Sequence, residues 1–154
     1  MRPETVIRLS GHGNIAAVKE ATGDLARVPR LRDGCPGGFT LLSGDDATAR
    51  EFMLGGGDGV ISVTGNVAPA AMRRLCDLAR SGDGAGAAAV DRPLAALHRA
   101  LFLESNPIPV KWALAEMGLT PAGIRLPLTP LDPRYHAEVR AALVGADIEL
   151  PGAA

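Results

Sequence analysis

Three short apolar runs, each ending near small or acidic residues, constrain the fold more than any other feature of the sequence. They are Ile15–Lys19, Phe39–Ser43 and Val60–Val63, spaced about 20 residues apart, and a helical segment follows each one. Repetition of a strand and a helix at this spacing, with short turns, predicts parallel strands joined by helices. The chain is therefore expected to be an α/β protein.

The segments around these runs predict one helix at the start of the chain and one after each strand. The four helices are expected at about Arg2–Gly11, Asp24–Asp33, Ala47–Leu54 and Val67–Arg80. Because the three strands are apolar on both faces, the sheet is expected to be covered by helices or closed in a barrel. Three parallel strands alone would leave unpaired backbone groups at their outer edges. The sequence therefore predicts either a partner chain or further strands.

The chain changes character after Ser81, where the apolar residues recur at helical intervals. Helices are expected in DGAGAAAVDRPLAALHRALFLE, from the two prolines of NPIPVKWALAEMG to Gly118, and in RYHAEVRAALVGA near the end. No strand is predicted in this half. The sequence thus separates a strand–helix part, 1–80, from a helical part, 81–154.

Lys19 is the candidate nucleophile, because it lies at the carboxyl end of the first apolar run. Parallel sheets and α/β barrels keep their chemistry at that edge. Lys19 and Lys111 are the only lysines, so arginine supplies nearly all the other positive charge. A lysine amine can form a Schiff base, which an arginine cannot. From position alone, the alternative is that Lys19 pairs with a carboxylate at the strand end.

Composition excludes several classes of function. The 154 residues suit one domain, and a net charge of -1 with a pI near 6.3 gives no electrostatic basis for binding nucleic acid or an anionic membrane. No apolar stretch approaches the length that spans a bilayer, and no signal peptide is recognised, so a cytoplasmic protein is expected. Cys35 and Cys76 are expected to be reduced thiols. His12, His98 and His136 are scattered, so no metal site is predicted.

Five motifs follow one another in the order VKEATGD, LLSGDD, GVISVTGN, ESNPIPVKWALAEMGL and RLPLTPL. Together they resemble the C-terminal half of the dihydrodipicolinate synthase family, which belongs to the pyruvate-dependent aldolases. The resemblance extends from Arg2 to about Ala142. Within that group, NPIPVKWA and the SGDD element favour this branch over the sugar-acid relatives such as N-acetylneuraminate lyase.

The resemblance implies a partial (β/α)8 TIM barrel, of which 1–80 would supply strands 6 to 8, followed by a C-terminal helical region. It places Lys19 at the family's Schiff-base lysine. It also implies that pyruvate contacts the main chain of Ile61 and a pocket lined by Gly44. Gly44 has the alternative role of a glycine required by a strand-to-helix turn. Ile61 is expected to be a core residue whose binding role rests on its backbone.

The implied reaction is a lyase-type condensation of pyruvate with aspartate semialdehyde in lysine and diaminopimelate biosynthesis. It uses a covalent imine on Lys19 and no separate cofactor. The family's pyruvate-carboxylate loop and its Tyr-x-x-Pro-x-Arg element are absent from this sequence, and the sole tyrosine, Tyr135, does not match them. We therefore expect a fragment with impaired activity, working as a homo-oligomer like the family's tetramers or with a complementing barrel half.

Two alternatives to this reaction follow from the same residues. One is a different pyruvate-dependent aldolase acting on a sugar acid, and the other is a non-catalytic half-barrel that serves as a subunit or interaction module. Thr22 is expected in a turn, Asp45 or Asp46 at a helix cap, and Lys111 in a structural or interfacial role.

Overall fold

The structure is a computed structural model that describes residues 1–151. The described chain forms two compact units. The first contains Met1–Ser62 and Arg74–Ala88, and the second contains Val63–Arg73 and the chain from Ala89 onward. The sheet and the candidate site lie in the first unit.

The first unit contains a parallel sheet of three strands. They are β1 (Ala17–Glu20), β2 (Thr40–Ser43) and β3 (Gly59–Val60), in the order β1-β2-β3. In the register of the sheet, Lys19 lies beside Leu42 and Ser43 lies beside Val60. The predicted parallel arrangement of strands and helices is confirmed.

Three helices accompany the strands, namely α1 (Pro3–Ser10), α2 (Arg27–Gly34) and α3 (Ala49–Leu54). Helix α2 begins three residues later than predicted, which leaves Pro29 in its first turn. Proline is tolerated there because no N–H is needed at that position. Helix α3 also begins two residues late, after a turn in which the Asp45 carboxylate accepts the Thr48 N–H at 3.0 Å.

One face of the sheet packs against these helices. Leu41 of β2 is fully buried in a cluster that takes residues from all three helices: Val6, Val28, Leu31, Phe39, Leu41 and Phe52. Val18 of β1 packs against the edge of this cluster. Because side chains alternate along a strand, Val18 and Leu41 share a face that Lys19 and Leu42 do not.

The second face of the sheet is open in the described chain, so helices cover the sheet on one side only. Ala17 and Lys19 are exposed, and Thr40 and Leu42 are only half-buried. The apolar character of the strands correctly indicated a sheet. It did not reveal that α1, α2 and α3 cover only one side, because strand composition carries no information on helix placement.

The third strand is shorter than predicted, and Ile61 is not a core residue. Strand β3 ends at Val60, and the side chain of Ile61 is 47 % exposed. The Ile61 N–H still donates to the Ser43 carbonyl at 2.8 Å, so the ladder continues by one bond. Val63 then takes a helical backbone conformation and leads into a 3-10 turn at Thr64–Asn66, which ends the extended segment.

Four further helices follow: α4 (Pro69–Arg80), α5 (Gly84–Ala100), α6 (Ile108–Glu116) and α7 (His136–Gly145). Helix α4 starts at a proline, which suits the first helical position, rather than at the predicted Val67. Gly118, with a φ of 71°, follows the end of α6. Between 81 and 151 the structure contains no strand, as predicted. Across 1–151, no helix is both long and apolar enough to cross a membrane.

The second unit buries a polar array around His98, which is 4 % exposed. The Nδ1 atom of His98 lies 2.8 Å from the Thr64 hydroxyl, and its Nε2 atom lies 3.2 Å from the Asp91 carboxylate. This order resembles a hydrolytic triad, but Thr64 is fully buried and no substrate reaches its hydroxyl. The array therefore satisfies buried polar groups.

The one-sided packing of the sheet predicts unequal effects at two adjacent leucines. Leu41→Ala should lower the free energy of unfolding by about 3 kcal/mol, because it leaves a cavity among buried side chains. Leu42→Ala, on the half-buried face, should cost less than half as much. Urea denaturation of the two variants measures both values, and equal losses would contradict a sheet packed on one side.

Candidate active site

The three candidate residues from the sequence lie together at the carboxyl edge of the sheet. Gly44 directly follows β2, and its N–H donates to the Glu20 carbonyl at 2.7 Å. Ile61 directly follows β3 and is joined to β2 by its own N–H. Lys19 is the penultimate residue of β1. Side-chain alternation in a parallel register then places Lys19, Gly44 and Ile61 on the open face.

Lys19 is exposed, and within residues 1–151 its amine forms no hydrogen bond or ion pair. The adjacent acid, Glu20, points to the opposite face and pairs with Arg27 instead. The alternative that Lys19 is a structural partner of a carboxylate is therefore wrong for the described chain. A primary amine without a partner at this edge can act as a nucleophile toward a carbonyl carbon.

Gly44 packs directly against the Lys19 side chain. A Cβ atom at position 44 would lie 2.8 Å from the Lys19 Cε atom and 2.7 Å from the Ala21 Cβ atom. Gly44 is not among the glycines with positive φ, so its backbone does not demand glycine. Close approach of Lys19 and Ala21 is what excludes a larger residue. The alternative explanation, a turn that needs glycine, is not what the structure shows.

Glu20 is a supporting residue next to the site, on the opposite face of the sheet, that the sequence reasoning missed. Its side chain is 6 % exposed, and its carboxylate accepts the Thr22 N–H and the Arg27 Nε–H, each at 2.9 Å. Burial alone would raise the pKa of Glu20, but hydrogen bonds from Thr22 and Arg27 and the charge of Arg27 hold it below the ordinary value. The ion pair thus fixes the turn that follows Lys19.

The polar residues flanking the site have structural partners. The Thr22 hydroxyl accepts the Asp24 N–H at 3.3 Å, which agrees with the expected turn role. The Ser43 hydroxyl donates to the Asp45 carbonyl at 2.9 Å, and Asp45 holds the turn before α3. Strand alternation could have indicated that Glu20 faces away from Lys19. No spacing rule indicated that its partner would be Arg27.

The sequence of this chain matches the model of the dihydrodipicolinate synthetase family over residues 1–146. The chain belongs to this family. Curated family members named 4-hydroxy-tetrahydrodipicolinate synthase include those of Saccharophagus degradans, 57 % identical over 148 residues, and Thioalkalivibrio sulfidiphilus, 58 % identical over 150 residues. These alignments cover 96 % and 97 % of this chain and 51 % of each relative. The chain thus spans about half the length of these synthases.

Solved structures of the family share the fold of the described chain. The chloride-inhibited dihydrodipicolinate synthase of Acinetobacter baumannii, complexed with pyruvate, matches with a TM-score of 0.92 at 50 % identity. That match covers 96 % of this chain and 50 % of the other. The Aquifex aeolicus synthase also gives a TM-score of 0.92, at 34 % identity over 97 % of this chain and 52 % of its own. The mixed α/β architecture of the described chain is therefore shared with about half of each of these synthases.

Replacement of Glu20 should reveal an acid-dependent contribution to stability. Glu20→Gln keeps the size of the side chain but removes its charge, so the free energy of unfolding at neutral pH should fall by about 2 kcal/mol. In the wild-type chain, the stabilisation by the ionised Glu20 carboxylate is fully present above pH 4.5, the ordinary pKa of the carboxyl. It is lost as the pH falls through the lower pKa of folded Glu20. The stability difference from wild type should therefore narrow in acid.

Urea titrations at neutral and acidic pH measure this difference. Glu4→Gln is the matched control, because its ion pair with Arg30 is more than half exposed and should contribute little. A wild-type advantage over Glu20→Gln that stayed constant into strong acid would contradict the assigned ion pair.

Proposed function

We propose that Lys19 is the Schiff-base nucleophile of a pyruvate-dependent condensation. The observation that carries the proposal is the amine itself, which is exposed at the carboxyl edge of the sheet without a partner in the described chain. Two features support it. Gly44 leaves room beside the Lys19 side chain, and the neighbouring acid is paired elsewhere.

The proposed chemistry begins with attack of the Lys19 Nζ atom on the keto carbon of pyruvate. Loss of water gives an imine, which in its protonated form withdraws electrons from the adjacent methyl group. Removal of a methyl proton then yields an enamine, whose carbon attacks an aldehyde, and hydrolysis returns the lysine. Gly44 and the main chain of Ile61 would border the bound pyruvate. No separate cofactor takes part, because the covalent imine serves as the electron sink.

The names of the relatives support aspartate semialdehyde as the aldehyde partner, since the condensation is that of a 4-hydroxy-tetrahydrodipicolinate synthase. The bound pyruvate of the A. baumannii synthase supports the first substrate. Among residues 1–151, no acid, imidazole or phenol hydrogen-bonds to the Lys19 amine. The tyrosine and arginine elements that the family resemblance assigns to proton transfer and carboxylate binding have no match in this sequence. We therefore expect slow turnover from the described chain by itself.

We also propose that β1, β2 and β3 are strands 6 to 8 of a (β/α)8 barrel, with 1–80 as the barrel part and 81–154 as the helical part. Two observations support this: the parallel order of the sheet and its single packed face. The open face, with Lys19 and Ile61 exposed, would then line the barrel interior. The other strands would come from a complementing segment or subunit. Relatives vary in assembly, and one solved family structure is of a monomeric variant.

Reductive trapping tests the imine. Incubation of the chain with pyruvate and borohydride should add one reduced pyruvate unit, found by mass spectrometry on the peptide that contains Lys19. Lys111 is a built-in control, because it is the only other lysine in the sequence. Lys19→Arg keeps the positive charge but cannot form the imine, and it should prevent labelling. Labelling of Lys111 alone, or an absence of label on folded chain, would contradict the proposal.

Substitution of Gly44 tests the geometry around the nucleophile. Gly44→Ala places a methyl group within 2.8 Å of Lys19 Cε and should displace the amine, which lowers the trapping rate about 10-fold or more. Gly37→Ala is the matched control, because the new methyl group would meet nothing within 4 Å. The rates are compared by time-resolved mass spectrometry. An unchanged trapping rate in Gly44→Ala would rule out the proposed role of this glycine.

A further inference from the structure

A second concave site lies in the second unit, on residues that the proposed reaction does not use. It is an apolar cavity of about 570 Å³, within the range of small-molecule sites. One wall is a face of α6, formed by residues spaced three or four apart: Ile108, Lys111, Trp112 and Ala115. The rest of the lining comes from the connector before α7 and from the first residue of that helix.

Stacked rings fix the shape of this cavity. Trp112 and His136 stack with their centroids 4.5 Å apart and their planes inclined by 22°. The Nε2 atom of His136 lies 3.1 Å from the Leu131 carbonyl and must donate to it, because a carbonyl only accepts. The guanidinium of Arg140 lies 5.4 Å from the Trp112 centroid. These contacts hold the aromatic wall in place before any ligand binds.

The charged residues in the lining of the cavity indicate the kind of ligand that it can bind. Lys111 is the only lysine or arginine in its lining, and no aspartate or glutamate lines it. Within residues 1–151 the Lys111 amine forms no hydrogen bond or ion pair. Lys111 is half-buried at a cavity whose lining is mostly apolar, and an anion that brings its own apolar body would suit both parts of that lining. Thr129 belongs to the same lining, and threonine is a residue type that can supply a further hydrogen-bonding group.

We propose that this cavity binds a small carboxylate that carries an aromatic or aliphatic body. The carboxylate pairs with Lys111, and the body occupies the apolar space against Trp112, Ile124 and Leu131. The proposal is independent of the imine on Lys19, because all the lining residues belong to the second unit. It also gives Lys111 a binding role in place of the structural or interfacial one expected from the sequence.

Fluorescence titration of the chain tests the proposal, because Trp112 is the sole tryptophan and lines the cavity. We expect saturable quenching or enhancement by 3-phenylpropionate. The amide 3-phenylpropionamide lacks the charge, and acetate lacks the apolar body. Each should bind at least about 10-fold more weakly than 3-phenylpropionate. The amide loses a hydrogen bond between charged groups, acetate loses the burial of a ring, and either loss is large enough for that difference.

Variants at the two lysines supply matched controls. Lys111→Gln should weaken 3-phenylpropionate binding about 10-fold, and Lys111→Arg should retain most of it. Lys19→Gln removes the other lysine and should leave the affinity unchanged. Circular dichroism confirms that each variant keeps its helices. Conversely, Lys19→Gln should abolish pyruvate trapping while Lys111→Gln preserves it, so the two sites can fail separately.

Three results would overturn the proposal. The first is equal affinity for the carboxylate and its amide, and the second is the absence of any saturable change in the wild-type chain. The third is an affinity that is the same in folded Lys111→Gln as in wild type. The comparison of carboxylate with amide needs no substitution, so it decides the question even if a variant fails to fold.

Discussion

The parallel pairing of β1 with β2 is the interaction on which the candidate site depends. It continues beyond the strands through the hydrogen bond from the Gly44 N–H to the Glu20 carbonyl. Because the strands run in the same direction, their carboxyl ends meet at one edge, and the register sets Gly44 against the side chain of Lys19. A shift of one residue would turn Lys19 toward the helices.

Alternation along β1 separates two opposite charges that are adjacent in sequence. Glu20 faces the helices, where Arg27 neutralises it, and Lys19 faces the open side. If the Glu20 and Lys19 side chains shared a face, the Glu20 carboxylate would form an ion pair with the Lys19 amine. The buried ion pair thus serves the site in two ways: it anchors the turn at Thr22, and it keeps the acid away from the nucleophile.

Sequence reasoning predicted the order of strands and helices and the parallel sheet, because these follow from apolar periodicity. The role of Lys19 stays a prediction. Sequence reasoning did not predict the early end of β3 or the exposure of Ile61, since a run of β-branched residues does not show where the backbone leaves the sheet. It also missed the pairing of Glu20 with Arg27, seven residues apart across a turn. Such contacts depend on tertiary structure.

Because the chain has only two lysines, the reaction of the Lys19 amine with pyruvate can be measured directly. A chain labelled with ¹⁵N at the lysine side chains has two Nζ resonances, one from Lys19 and one from Lys111. On addition of pyruvate, we expect the Lys19 resonance to move into the imine range and the Lys111 resonance to stay in place. If neither resonance moved, or if Lys111 alone responded, Lys19 would not be the Schiff-base nucleophile.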